Sequence, residues 1–153
     1  MKKVLIALDY SPSAEKVAET GYTLAKAMQA EITLVHVVAD INYYSSMAYS
    51  PIMGFTGFTY PDIALDVVND LEVESLRFLN ESKNHLGDER IDVRVVDGDT
   101  GKAILDLASE IGADVIIMGS HGRRGLGKLI MGSVAENVMH HTKIPVLIVP
   151  IEA

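Results

Sequence analysis

The sequence predicts an α/β protein in which a parallel sheet is covered by helices on both faces. Three observations carry that prediction. Short runs rich in Val and Ile alternate with longer stretches of helical period, and those runs are mostly unbroken by polar residues, as strands buried on both faces require. The chain's 153 residues, 48% of them hydrophobic, suffice for one sizeable core and a single domain over residues 1–153. Such an alternation implies a doubly wound sheet, whose ligands bind outside the carboxyl ends of strands where the winding reverses.

The elements follow in order. Met1, Lys2 and Lys3 precede the apolar run 4–8, which imitates a signal peptide, but five apolar residues stopped by Asp9 are too few for an h-region of roughly 7–15. The run therefore reads as a buried first strand. Ser11-Pro12 opens the first helix, a cap residue followed by proline at the first helical position, with Ala14, Val17, Ala18, Gly21, Ala25 and Met28 on one stripe. Residues 32–37 form the second strand, and Leu65, Val68, Leu76 and Leu79 mark the second helix. The third strand, 91–96, alternates as Ile91-Asp92-Val93-Arg94-Val95, which suits an edge with one wet face. The third helix follows Thr100, carries Ala103, Ile104, Leu107, Ala108 and Ile111, and stops at Gly112. Residues 115–118 form the fourth strand, a fourth helix begins near Ser133, and Val146, Leu147, Ile148 and Val149 form the last strand.

That last strand has no charge to protect it. If it lies at an edge, a bare apolar edge needs a cover, and a homodimer through Val146, Leu147, Ile148 and Val149 is expected; the alternative is a buried place inside the sheet. Residues 41–61 fit no element. They are uncharged and hold Tyr43, Tyr44, Tyr49, Phe55, Phe58 and Tyr60, six of the chain's nine aromatics. Asn42, Ser45, Ser46, Ser50, Pro51, Gly54 and Gly57 exclude a membrane span. The segment reads as a long loop that serves as a lid, a subunit contact or protein-partner surface, or a satellite cluster on its own domain.

Thirteen Lys and Arg against twenty-one Asp and Glu leave a net charge of −8, which argues against a nucleic-acid coat and against a polybasic membrane anchor. The absence of cysteine removes disulfides, thiol nucleophiles and Cys-based metal sites, and fits a cytoplasmic location. Residues 115–135 nevertheless hold Arg123, Arg124 and Lys128 and no acidic residue. With charges screened over about 8 Å at physiological salt, a phosphate there would feel this window more than the distant acidic surface.

Five glycines, Gly119, Gly122, Gly125, Gly127 and Gly132, fall in fifteen residues between the fourth strand and the fourth helix. Glycine lets the backbone approach a ligand, so amides can converge on phosphate oxygens, and a helix opening at Ser133 favours an anion. Ser133-Val134-Ala135-Glu136 also reads as a capping box, in which the hydroxyl bonds the Glu136 amide; a hydroxyl can serve both roles. Two nucleotide motifs are excluded. Residues 122–128 read G-x-x-x-x-G-K, but Leu129 stands where a P-loop needs a hydroxyl, and Gly125-Leu126-Gly127 lacks the third glycine of a dinucleotide fingerprint.

With the spacing Gly119-x2-Gly122-x9-Gly132-Ser133, the chain resembles the ATP-binding branch of the universal stress proteins, whose motif G-x2-G-x9-G-(S/T) is matched at every fixed position. The likeness extends to residues 4–9, to Leu34-Val35-His36-Val37 and to residues 145–149, and so runs over essentially the whole chain. It implies a five-stranded, Rossmann-like parallel sheet in the order 3-2-1-4-5, a dimer built on the last strand, and a nucleotide between the ends of strands one and four. Carried onto matching positions, it implies Asp9, with Ala7 and Leu8, near the ribose and adenine, and Val37 against the base. Met118 and Gly119 continue that wall, while Gly122, Arg123, Gly132, Ser133 and Val134 surround the phosphates. His121, in the loop, is within reach of phosphate. The implied cofactor is ATP, or ADP or AMP, with Mg²⁺ arriving on the phosphates. A carboxylate at a strand end suits ribose hydroxyls, although Asp9 equally suits an Asx turn.

The remaining histidines, His36, His85, His140 and His141, have no third ligand at recognisable spacing, so no metal site is expected. Neither a nucleophile-plus-base pair nor a metal cage is visible, which favours a nucleotide-dependent signalling dimer with at most slow ATP hydrolysis. The alternatives are a hydrolase or phosphotransferase in which Asp9 positions water, and an interaction module using residues 41–61.

Overall fold

A computed structural model describes residues 1–39, 60–120 and 131–151. Strands β1 (Lys3–Ala7), β2 (Glu31–Ala39), β3 (Asp92–Gly98), β4 (Val115–Gly119) and β5 (Val146–Val149) alternate with helices α1 (Ala14–Ala27), α2 (Tyr60–Leu86), α3 (Thr100–Ile111) and α4 (Ser133–His141). The strands form one parallel sheet in the order β3-β2-β1-β4-β5, the class and order expected. The winding reverses beside β1, which pairs with β2 on one side and β4 on the other, so the switch point lies between the carboxyl ends of β1 and β4.

Register places Ile6 opposite Leu34 and Ile117. Side chains alternate across each strand, which divides the apolar runs between two cores. Val4, Ile6, Leu34 and Ile117 pack with Val17 and Ala18 of α1 and Leu79 of α2 on one face. On the other, Leu5, Val35, Ile116 and Met118 pack with Ile104 and Leu107 of α3 and Val138 of α4. Val4, Leu5 and Ile6 are fully buried, and this explains why the middle of the central strand is wholly apolar. β3 alternates between exposed and half-buried positions at one edge. β5 occupies the other edge, with Leu147 exposed, so the edge placement holds.

The strand bounds shift by at most two residues, and three helix starts differ from expectation. α1 starts at Ala14 rather than at Ser11-Pro12: the Ser11 hydroxyl bonds Asp9 Oδ1, and the Ala14 amide bonds the Ser11 carbonyl in a preceding turn. Ser11 is therefore not the cap. α2 begins at Tyr60, so Tyr60 and Pro61 of the aromatic stretch belong to a helix, while residues 41–59 lie outside the described residues. α3 starts at Thr100 behind Asp99, whose carboxylate accepts from the Lys102 amide at 3.0 Å. It stops at Gly112, in the left-handed region at φ 67°, a conformation glycine adopts without strain. Among the described residues no helix is long and apolar enough to cross a membrane.

Candidate functional site

A cleft of about 320 Å³ opens at the carboxyl ends of β1, β2 and β4 against the amino ends of α3 and α4. It brings together nine sequence-predicted residues: Ala7, Leu8, Asp9, Val37, Met118, Gly119, Gly132, Ser133 and Val134. The other three, His121, Gly122 and Arg123, lie outside the described residues.

Its wall is built by strand ends. The Leu8 amide continues the ladder past β1 by donating to the Val35 carbonyl at 2.9 Å. The Leu8 carbonyl accepts from His36 Nδ1 at 2.8 Å, which fixes the imidazole tautomer. The His36 ring lies 4.3 Å from that of Tyr10, and Phe78 of α2 meets Tyr10 at 4.9 Å. The Tyr10 hydroxyl reaches Ser75, which is buried, at 2.8 Å. Packing and hydrogen bonding thus hold the turn after β1 from several sides. Asp9 Oδ1 accepts from the Ser11 amide at 3.0 Å and the Ser11 hydroxyl at 2.5 Å. That is the Asx turn weighed from sequence, and it leaves Asp9 lining the cleft.

At the other wall, Gly119 closely approaches its neighbours. A Cβ there would stand 3.2 Å from both Val17 Cγ2 and Ile151 Cγ1. The Ser120 amide donates to the Val149 carbonyl at 3.0 Å, and its hydroxyl accepts from the Ile151 amide at 3.0 Å, which locks the end of β4 to the end of β5. The Gly132 amide donates to the Ser120 carbonyl at 2.6 Å. The chain therefore leaves β4 and re-enters α4 at adjacent points.

The opening of α4 corrects the capping-box expectation. Gly132, not Ser133, is the N-cap, no side chain caps the helix, and the Glu136 amide bonds the Gly132 carbonyl at 3.0 Å. A capping box needs Ser at the cap and Glu three residues inside the helix; here both stand one residue too far along. Ser133 instead becomes the first helical residue and lines the cleft beside Val134 and Ala135. The amides of a helix's first turn have no intrahelical partner and carry the positive end of its dipole. The arrangement thus offers amide donors and a hydroxyl to an anion at one end, a carboxylate between, and apolar walls from Val37, Met118 and Ile104.

Sequence reasoning missed the remaining lining residues, among them Ser11, His36, Thr100, Ile104, Ser120 and Ile151. The strand-end rule could have found Thr100, which opens the helix after β3, and Ser120, which follows β4. Ile151 is placed only by β5 lying beside β4.

A model of the universal stress protein family matches residues 1–150. The chain is 31% identical over 153 residues to universal stress protein MJ0577 of Methanocaldococcus jannaschii, covering 97% of this chain and 94% of that protein. The solved structure of MJ0577 superposes with a TM-score of 0.76 at 28% identity, covering 99% of this chain and 97% of the other. Two further structures share the fold. One is a universal stress protein in complex with cAMP, with a TM-score of 0.62, 24% identity, and 97% and 95% coverage. The other, from Archaeoglobus fulgidus, is in complex with dAMP, with a TM-score of 0.61, 20% identity, and 97% coverage of each chain.

Proposed function

Since the chain belongs to the universal stress protein family, we propose that the cleft holds an adenine nucleotide, with ATP as the physiological ligand, and that its occupancy is what the protein signals. One observation carries this reading: the amino end of α4, capped by no side chain, opens onto a cleft at the sheet's switch point. The volume of about 320 Å³ falls in the range of roughly 300–1,000 Å³ usual for small-molecule sites.

In this reading the amides of Ser133 and Val134 and the Ser133 hydroxyl donate to the phosphates, Gly132 lets the backbone lie close beside them, and Gly122, Arg123 and His121 join them. Asp9 accepts from ribose hydroxyls beside Ala7 and Leu8, and Val37, Met118 and Gly119 wall the base. Mg²⁺ arrives on the phosphates and neutralises part of their charge. Relatives of the same fold in complex with cAMP and dAMP support an adenine nucleotide as the ligand class. The active form is a cytoplasmic homodimer joined through the β5 edge, with hydrolysis at most slow.

Mass spectrometry of the purified, denatured protein tests the reading. ATP or ADP is expected near one equivalent per chain after incubation with a mixed nucleotide pool. Retention of guanine nucleotides in equal amount, or of none, contradicts it.

A further inference from the structure

Outside the cleft, α1 and α2 bring together three groups that are far apart in sequence. His85 Nε2, near the end of α2, lies 2.8 Å from Glu19 Oε1 and 3.2 Å from Glu15 Oε1, and the ligand atoms of all three lie within 4.8 Å of one another. Glu15 and Glu19 stand one turn apart on α1, so their side chains share a face. We propose that Glu15, Glu19 and His85 form a surface site for a divalent transition-metal ion of the Zn²⁺ type, which clamps α1 to α2.

Distance and donor chemistry carry the assignment. Zn²⁺ binds imidazole nitrogen and carboxylate oxygen at about 2.0–2.2 Å in a tetrahedron, which sets neighbouring ligand atoms about 3.3 Å apart. The separations of His85 Nε2 from the two carboxylates, 2.8 and 3.2 Å, now include a hydrogen bond to Glu19; an ion that displaces the Nε2 proton to solvent needs them to widen only slightly to reach that edge. One imidazole and two carboxylates make a mixed donor set, better suited to a transition ion than to Mg²⁺ or Ca²⁺, which prefer oxygen alone. Among the described residues, the ion pairs of Glu15 and Glu19 are with His85, while the neighbouring Glu81 is engaged by Arg77 at 3.2 Å. All three side chains are half or more exposed, which leaves an open side for water as the fourth ligand.

Calorimetric titration of the nucleotide-free, untagged chain with ZnCl₂ tests the proposal. One Zn²⁺ per chain is expected, with affinity at least tenfold weaker in His85→Gln and in Glu19→Gln, and unchanged in His140→Gln, whose imidazole pairs elsewhere on α4. Circular dichroism establishes that each exposed-site variant is folded. In the wild type, the imidazole resonance absent from His85→Gln should shift on titration. Zn²⁺ binding of equal strength in His85→Gln, or no Zn²⁺ binding by the folded wild type, overturns the proposal.

Discussion

Ser133 owes its place in the cleft to one residue of helix register. With Gly132 at the cap, the hydroxyl is spent on no amide of the first turn, and this separates two consequences of removing it. Ser133→Ala should weaken ATP binding about tenfold, the value of a hydrogen bond of about 1–1.5 kcal/mol, while stability to urea changes by less than about 0.5 kcal/mol. A stability loss of about 1 kcal/mol with unchanged affinity would instead mark Ser133 as a cap. The spacing of Gly119, Gly132 and Ser133 could be read from sequence because it matches the family motif, with glycines where the backbone must come close to its neighbours. The register could not, since Gly and Ser are both acceptable caps and only the tertiary contact of the Gly132 amide with the Ser120 carbonyl decides between them. Asp9 resembles Ser133 in this respect. Its turn bonds to Ser11 and its place in the cleft are compatible, and sequence alone offers them as rivals.

At the scale of elements, contacts beyond the cleft hold the helices to the sheet. Asp88, in the turn between α2 and β3, accepts from the Arg90 amide at 3.1 Å, from Arg90 Nε and Nη2 at 3.0 and 2.9 Å, and from the Tyr22 hydroxyl of α1 at 3.2 Å. The Arg90 hydrogen bonds, ahead of every other cause, hold its carboxyl far below the usual carboxylate range. A carboxylate whose pKa falls on folding stabilises the native state above its unfolded pKa of about 3.9, and that contribution is lost as pH falls. Asp88→Asn should therefore lower the melting temperature at pH 7, and the gap to wild type should narrow as pH drops below about 4. A gap constant from pH 7 to pH 3 would refute this role. Such a staple is invisible in sequence, because Tyr22 and Asp88 lie 66 residues apart on elements that only the tertiary fold brings together. The strands themselves were legible, since burial on two faces imposes unbroken apolar runs.

For the whole molecule, the sheet order leaves β5 at an edge with Leu147 exposed and no charge in its four residues. An exposed apolar edge invites pairing with a second chain. Leu147→Glu should convert the proposed dimer to a monomer in sedimentation at micromolar concentration; a wild type already monomeric there contradicts the dimer. The class and order of the sheet were legible through the strand–helix alternation and the family likeness. The cleft's full lining was not, since it draws on the ends of β1, β2 and β4, on three helices, and on Ile151.

In the proposed function the opening of α4 binds nucleotide phosphate. Calorimetric titration of ATP into wild type and Gly132→Val tests it most directly, because the added side chain crowds the cap while its φ of −63° and ψ of 157° remain open to valine. One ATP per wild-type chain is predicted, with affinity at least tenfold lower in the variant. Equal affinity in both folded proteins, or no ATP binding by the wild type, would contradict it.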